Sequence, residues 1–352
     1  MVEMSGEKGR RYYEEDLAYI VQCGVDYEPL YHQCVLVTGA SGLIGSVIVD
    51  TLLWLNDHKN ANIKVVAWSR NERILSQKWG ERNDVTIVAQ DICEEIKDCA
   101  WRADYIIHGA SKGDPSSFAA DPVGVMNSNY IGTLQMLSLA KKCKSKKLVF
   151  ISTGETYGIV ENVSENGIVE TESGYLDRLN PRNCYAVSKR AAEGLLISYF
   201  KEYGVPVGIA RLCHTYGGNV LPDESRVIFQ FMKNALAGQD IVMKSSGCAK
   251  RSYCYVADAV CGIFIILLKG QAGEAYNVAN PQSVVTIRNL AELIAAKNGK
   301  RVFMQCEEQE CNAMDSGIRQ AYFDISKLKK LGFCPRYGIE EGIMRSMEMM
   351  TC

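Results

Sequence analysis

Residues 38–45 read Thr-Gly-Ala-Ser-Gly-Leu-Ile-Gly, a glycine turn set between an apolar run and a helical pattern. In front of it, Cys34-Val35-Leu36-Val37 is apolar throughout, as a fully buried strand is. Behind it, residues 43–55 repeat apolar side chains at helical spacing. A strand that passes through so tight a turn straight into a helix leaves few folds open. Gly39 permits the tight turn, Gly42 lets backbone approach a pyrophosphate, and Gly45 lets the helix sit close to the strand. The helix start then offers free N–H groups and a partial positive charge to an anion. Ser41, Leu43 and Ile44 complete the seat, and strand, turn and helix together predict dinucleotide binding.

The 352-residue chain is 47% hydrophobic and 23% charged, which suits one large or two medium globular domains. Its formal net charge is −2, which argues against an electrostatic nucleic-acid binder. The densest basic run, 141–147, lacks interleaved aromatics and reads as a solvated helix end. Fourteen cysteines show no Cys-x-x-Cys spacing, and Cys34, Cys143, Cys213 and Cys261 lie in or beside apolar segments. They read as reduced core residues of a cytoplasmic protein. No His completes a zinc set around Cys248 and Cys254, so no metal is expected. The start of the chain is polar, and apolar runs such as 262–268 fall short of the roughly 20 residues that span a bilayer.

Residues 1–31 form an N-terminal extension with a short helical stretch at 14–20. Strands are expected at 34–38, 63–68, 85–89, 104–108, 147–152, 206–211 and 275–279. Helices are expected between them at 43–56, 71–79, 123–143 and 183–203, with others at 225–237 and 258–269. This alternation predicts an α/β fold with a doubly wound parallel sheet covered on both faces. The pattern changes after Arg211. The expected division is a dinucleotide domain at 32–212, with 251–280 returning to it. A smaller interleaved C-terminal substrate-binding lobe occupies 213–250 and 281–352, and the cleft between the lobes is the natural substrate site.

Tyr185-Ala186-Val187-Ser188-Lys189 is the second strong signal. Residues four apart share a helix face, so Tyr185 and Lys189 project together. A free phenol titrates near pH ~10, and a neighbouring ammonium favours the phenolate that could act as a base. The third signal is a buried strand ending in Ser152-Thr153-Gly154-Glu155. Thr153 can donate to a substrate oxygen beside Tyr185, and Glu155 can reach the same pocket.

In this order, these motifs resemble the extended short-chain dehydrogenase/reductases, and among them the NAD(P)-dependent nucleotide-sugar epimerase/dehydratase group. The resemblance spans roughly 33–345. It rests on the glycine turn, Asp91-Ile92, His108-Gly109-Ala110-Ser111, Asn129-Tyr130-Ile131-Gly132-Thr133, Ser152-Thr153, Tyr185-x-x-x-Lys189, Arg211 with Tyr216-Gly217, 251–258 and Tyr276-Asn277-Val278. It implies a Rossmann-type sheet and a catalytic set of Thr153, Tyr185 and Lys189, with Asn129 supporting Lys189. It implies cofactor contacts from Asp91 to adenine and from Ile92, Gly109, Ala110 and Ser111, and an Arg251 that binds the substrate diphosphate. Arg211, His214 and Arg226 join the substrate side; His214 stands where such enzymes usually carry Asn.

Family members share oxidation of the sugar at C4, then epimerise, dehydrate across C5–C6 or decarboxylate. Glu155 in Thr-x-Glu resembles the dehydratase and decarboxylase members. The dTDP-glucose dehydratases carry Asp where this chain has Gly154, which argues against that subtype, whereas Pro181-Arg182-Asn183-Cys184-Tyr185 is similar to GDP-mannose dehydratases. Decarboxylases add an arginine for the sugar carboxylate, for which Arg251 and Arg226 are candidates. An NADP-dependent 4-keto-sugar reductase and a catalytically silent nucleotide binder are the competing readings.

The second predicted strand ends in Ser69-Arg70, where NAD enzymes typically place an acid. Arg70 would attract a 2′-phosphate, so the choice between NADP and NAD leans to NADP. The expected partners are a nucleotide-diphosphate sugar and, through helices 123–143 and 183–203, a second copy in a homodimer. Neither nucleic acid nor membrane is expected.

Overall fold

The structure, a computed structural model, describes residues 6–96, 101–220, 224–305 and 320–351. Helix α1 (Glu7–Val21) precedes a regular alternation: β1 (Cys34–Thr38), α2 (Leu43–Lys59), β2 (Lys64–Ser69), α3 (Glu72–Trp79), β3 (Val85–Ala89), β4 (Tyr105–His108), α4 (Pro115–Ala120), α5 (Pro122–Cys143), β5 (Lys147–Thr153), α6 (Cys184–Tyr203) and β6 (Val207–Leu212). Shorter elements follow: β7 (His214–Tyr216), α7 (Val227–Leu236), β8 (Ile241–Met243), β9 (Lys250–Tyr255), α8 (Val256–Lys269), β10 (Glu274–Val278), β11 (Val284–Thr286), α9 (Ile287–Lys297), β12 (Val302–Met304), β13 (Gln320–Ala321), α10 (Ser326–Lys329) and α11 (Ile339–Met350).

Seven strands form one sheet in the order β10-β6-β5-β4-β1-β2-β3, and every pairing in it is parallel. Side chains alternate across it. Leu36, Val66, Ile106, Leu148 and Phe150 pack with Met136 and Leu137 of α5 and with Ala192 and Leu196 of α6. Val35, Val37, Val65, Ala67 and Val149 pack with Val47, Ile48 and Leu52 of α2 and with Ile263 and Ile266 of α8. Strands buried on both sides carry apolar residues without alternation, which is why the central strands were legible as runs. Strand order reverses between β4 and β1, and a ligand crevice opens at the carboxyl ends there.

The smaller lobe is built around β9, which lies antiparallel to β11 and parallel to β7 and β13. Within 251–280, β9 thus joins the small sheet, while α8 and β10 return to the large one. Helix α1 is longer than the 14–20 stretch predicted for it and is stapled to distant elements. Arg345 on α11 donates to Asp16 at 2.7 and 3.1 Å, and the Tyr255 hydroxyl donates to Asp16 at 2.6 Å. Tyr19 donates to Asp258 of α8 at 2.7 Å. Among the described residues no helix is long and apolar enough to cross a membrane.

Candidate active site

A cleft of about 1080 Å³ runs from the glycine turn, past the ends of β4 and β5, to β7 and β9 of the small lobe. Its first wall is the turn between β1 and α2. Gly39 has φ +73°, and a Cβ there would lie 2.8 Å from the Gly109 carbonyl oxygen. A Cβ on Gly45 would lie 2.2 Å from the Gly39 carbonyl oxygen. No side chain caps α2, and Gly42, Leu43, Ile44 and Gly45 line the cleft with its first turn. Helix-start amides without a side-chain cap, at a position only glycines can form, fit the pyrophosphate of a dinucleotide.

Arg70, Gly109 and Ser111 line the same end. Ser41 and Ser69 stand beside the lining, their hydroxyl oxygens 2.6 Å apart. Arg70 faces Asp91 across 4.0 Å, and both side chains are solvent-accessible. Ile92 is buried against Gly132, and Ala110 donates its N–H to the Thr38 hydroxyl at 3.1 Å; neither lines the cleft.

The second wall is the start of α6 with the end of β5. Tyr185, Lys189, Thr153 and Glu155 all reach the cleft. Tyr185 stacks on Phe118 with ring centroids 4.9 Å apart, which sets the ring plane. Burial pushes its phenol up, and the Glu155 carboxylate adds to that; a Thr153 hydrogen bond and the Arg226 charge pull it down. Lys189 is buried, donates to the Ile151 carbonyl at 2.7 Å and lies 5.8 Å from the Tyr185 ring centroid. Burial lowers its ammonium to about 7, against the pull of Glu193. The pressure on the phenol described here therefore comes from burial, Glu155, Thr153 and Arg226, where the sequence suggested Lys189.

Asn129 is buried behind this wall and does not line the cleft. Its amide donates to Ser188 at 2.9 Å and its oxygen accepts from Ser111 at 2.6 Å, so it ties the helix of Lys189 to the loop after β4.

The substrate end gathers Glu155, His214, Arg226 and Arg251. Burial raises the Glu155 carboxyl, with Arg182 and Arg251 opposing. Burial and the charges of Arg251 and Arg226 hold His214 down at about 3, so its ring is neutral near pH 7. Arg226 is committed locally: it donates twice to the Glu224 carboxylate, at 3.0 and 2.7 Å, and to the Thr215 carbonyl at 3.0 Å. Arg211 does not line the cleft. Its guanidinium pairs with Glu193 at 2.8 and 3.1 Å and donates to the Glu170 carbonyl, away from any substrate. Sequence reasoning did not select Arg182, which lines the cleft one turn before Tyr185. Its signals were that adjacency and its place in the 181–185 motif. Gly154 has no room for a side chain, because a Cβ there would meet the Phe323 ring at 2.1 Å.

The sequence pattern of the NAD dependent epimerase/dehydratase family matches residues 35–279. The chain belongs to this family. UDP-glucuronic acid decarboxylase 6 of Arabidopsis thaliana is 33% identical over 315 residues, covering 88% of this chain and 86% of that protein. UDP-glucuronic acid decarboxylase 1 of Danio rerio is 30% identical, over 90% of this chain and 72% of its own. Among solved structures, the UDP-glucose 4-epimerase of Thermotoga maritima with UDP-glucose superimposes with a TM-score of 0.76 at 26% identity, over 90% of this chain and 98% of its own. As a member of the epimerase/dehydratase family, the chain is a nicotinamide-dependent enzyme of nucleotide-sugar modification.

Proposed function

We propose that the protein oxidises a UDP-linked hexuronate at C4 and releases the C5 carboxylate as carbon dioxide. One observation carries this reading: a half-buried carboxyl, Glu155, shares the cleft with Tyr185 and feels both Arg182 and Arg251. Two guanidiniums beside the reacting end suit an anionic sugar better than a neutral hexose. The identity to UDP-glucuronic acid decarboxylases supports the same choice.

When bound, a nicotinamide dinucleotide would supply the acceptor for the C4 hydride and, after decarboxylation, the donor that returns it to the C4 ketone, with Tyr185 giving the proton back. Tyr185 removes the 4-hydroxyl proton, and Thr153 donates a hydrogen bond to the same oxygen. The C4 ketone then accepts the electron pair left as the C5–carboxylate bond breaks. Glu155, raised by burial, can hold the proton that C5 takes up. Dehydration of the dTDP-glucose type is disfavoured because Phe323 occupies the space an acid at position 154 would need.

The test is incubation with UDP-glucuronate and NADP or NAD in parallel, followed by mass analysis. A UDP-pentose with carbon dioxide and no stoichiometric consumption of cofactor is expected. A UDP-hexuronate epimer, or stoichiometric oxidation of reduced cofactor by a 4-keto sugar, would overturn the reading. Tyr185→Phe removes the base and should lower turnover by about 10²–10⁴-fold.

Arg70 supports a preference for NADP, since a 2′-phosphate beside it gains a charge-assisted contact. Arg70→Ala should weaken NADP at least about tenfold more than NAD in a titration; equal losses would remove the preference. For assembly, Val123, Met126 and Tyr130 of α5 and Tyr203 of α6 are large and solvent-exposed. They support a homodimer through these helices, which light scattering tests. The buried thiols of Cys254 and Cys261 suit the reducing cytoplasm.

A further inference from the structure

The hydrogen bonds behind the glycine turn have a direction that only one protonation state of His108 allows. The Thr38 hydroxyl oxygen accepts from the backbone N–H of Gly109 and of Ala110, each at 3.1 Å, the Gly109 N–H being shared with the Thr38 carbonyl at 3.2 Å. A hydroxyl has two lone pairs and one proton. With both lone pairs engaged, the proton goes to its remaining neighbour, His108 Nδ1, at 2.7 Å. Nδ1 is therefore bare, and the imidazole proton sits on Nε2, 3.2 Å from the Thr133 hydroxyl oxygen. That hydroxyl in turn donates to the Asn129 carbonyl at 2.5 Å. All four residues are fully enclosed.

The two ends of this chain reach opposite walls of the cleft. At one end, Gly109 abuts Gly39, where the closest approach leaves no space for a side chain. At the other, Asn129 holds Ser111 and Ser188, and Ser188 donates to the Cys184 carbonyl at 2.6 Å, at the start of the helix that carries Tyr185 and Lys189. We infer that His108, as the neutral Nε2–H tautomer, is a positioning residue that couples the dinucleotide turn to the catalytic helix. A proton added at Nδ1 would oppose the Thr38 hydroxyl proton and set a cation near Lys189. Burial disfavours that state and holds the ring at about 3, so the tautomer persists across working pH. The inference rests on the nicotinamide-dependent reading and not on the choice of sugar.

Three substitutions at 108 separate the two ends of the relay. Phe fills the space but offers no polar atom, Asn restores an acceptor near Thr38, and Gln restores a donor near Thr133. His108→Phe should weaken NAD binding about tenfold, the scale for leaving a buried polar group unmatched, and should lower kcat. The KM for the nucleotide sugar should stay unchanged. His108→Asn should recover NAD affinity while kcat stays low, and Thr133→Val should lower kcat with NAD affinity intact. Uniform losses that track thermal stability would reduce His108 to a packing residue and overturn the inference. Should the Phe variant not fold, the nitrogen chemical shifts of the wild-type imidazole decide: a protonated Nδ1 refutes the chain. NAD titration and imidazole shifts need no sugar, so a wrong sugar assignment leaves both readable.

Discussion

Gly45→Ala and Gly42→Ala should fail in different ways, and the difference tests the reading of the glycine turn. A Cβ on Gly45 would lie 2.2 Å from the Gly39 carbonyl oxygen, 2.8 Å from its carbon and 3.0 Å from Ala40 Cα, all backbone. Reaching an ordinary contact of 3.4 Å from that oxygen requires a retreat of about 1.2 Å by the first turn of α2. Neither partner can rotate away, so the strain falls on the helix–strand packing and costs ~1–3 kcal/mol. The same shift pulls the helix-start amides out of register with a pyrophosphate, and a misplacement of about 1 Å can cost roughly 10²-fold. On Gly42, by contrast, the Cβ would lie 3.3 Å from the Gly39 carbonyl oxygen, a tight contact that needs a give of only about 0.1 Å, and it would face the cleft. Gly42→Ala should therefore hold its stability within ~0.5 kcal/mol and still lose dinucleotide affinity, because the methyl occupies the ligand's place. Thermal melts and NAD titration calorimetry on both variants read the two effects separately. Wild-type NAD affinity in Gly42→Ala, or wild-type melting of Gly45→Ala, would refute the argument.

Asp16→Ala leaves Arg345 buried without its closest partner, and urea denaturation should register a loss of about 3–5 kcal/mol. Lys189 is lowered from 10.5 to about 7, so between those values the unfolded chain holds a proton the native state lacks, and stability rises with pH across that window. Lys189→Met should therefore be more stable than wild type near pH 6, with the gain fading toward pH ~10.5 in pH-dependent melts. His214, held at about 3, works in the acid range: its contribution is lost as pH falls from 6.5 toward 3, and His214→Phe should flatten that part of the stability profile.

The large sheet was legible because its central strands are buried on both faces and read as apolar runs; β1 and the edge strand β3 match the predicted bounds, and the others differ by about a residue. The glycine turn was legible because most of its constraint is local: Gly42 and Gly45 meet the Gly39 carbonyl and Gly39 needs φ +73°, whereas the contact of Gly39 with Gly109 comes from the fold. Partner choice was not. β9 alternates Lys250, Arg251, Ser252 and Tyr253, and nothing in that order says it pairs with β7, β11 and β13 rather than with the large sheet. Arg211 illustrates the same limit at one residue. Its type and position suggested an anion site, but Glu193 reaches it from α6, and a guanidinium paired in that way has no fork left for substrate. Arg182, quoted only as part of the 181–185 motif, was not chosen as a site residue for the opposite reason. It lies in a polar stretch without periodicity, and only the packing of that stretch brings it toward Glu155.

Gly154 and Phe323 form a lock whose two halves lie 169 positions apart. Any mutation that adds a side chain at the first half evicts the aromatic ring, and any that shrinks the ring alone opens a void beside Tyr157, its tilted neighbour at 5.6 Å. Divergence toward chemistry that needs an acid at this spot thus faces a fitness valley between two single changes. Laboratory evolution aimed at such a switch should randomise both codons together.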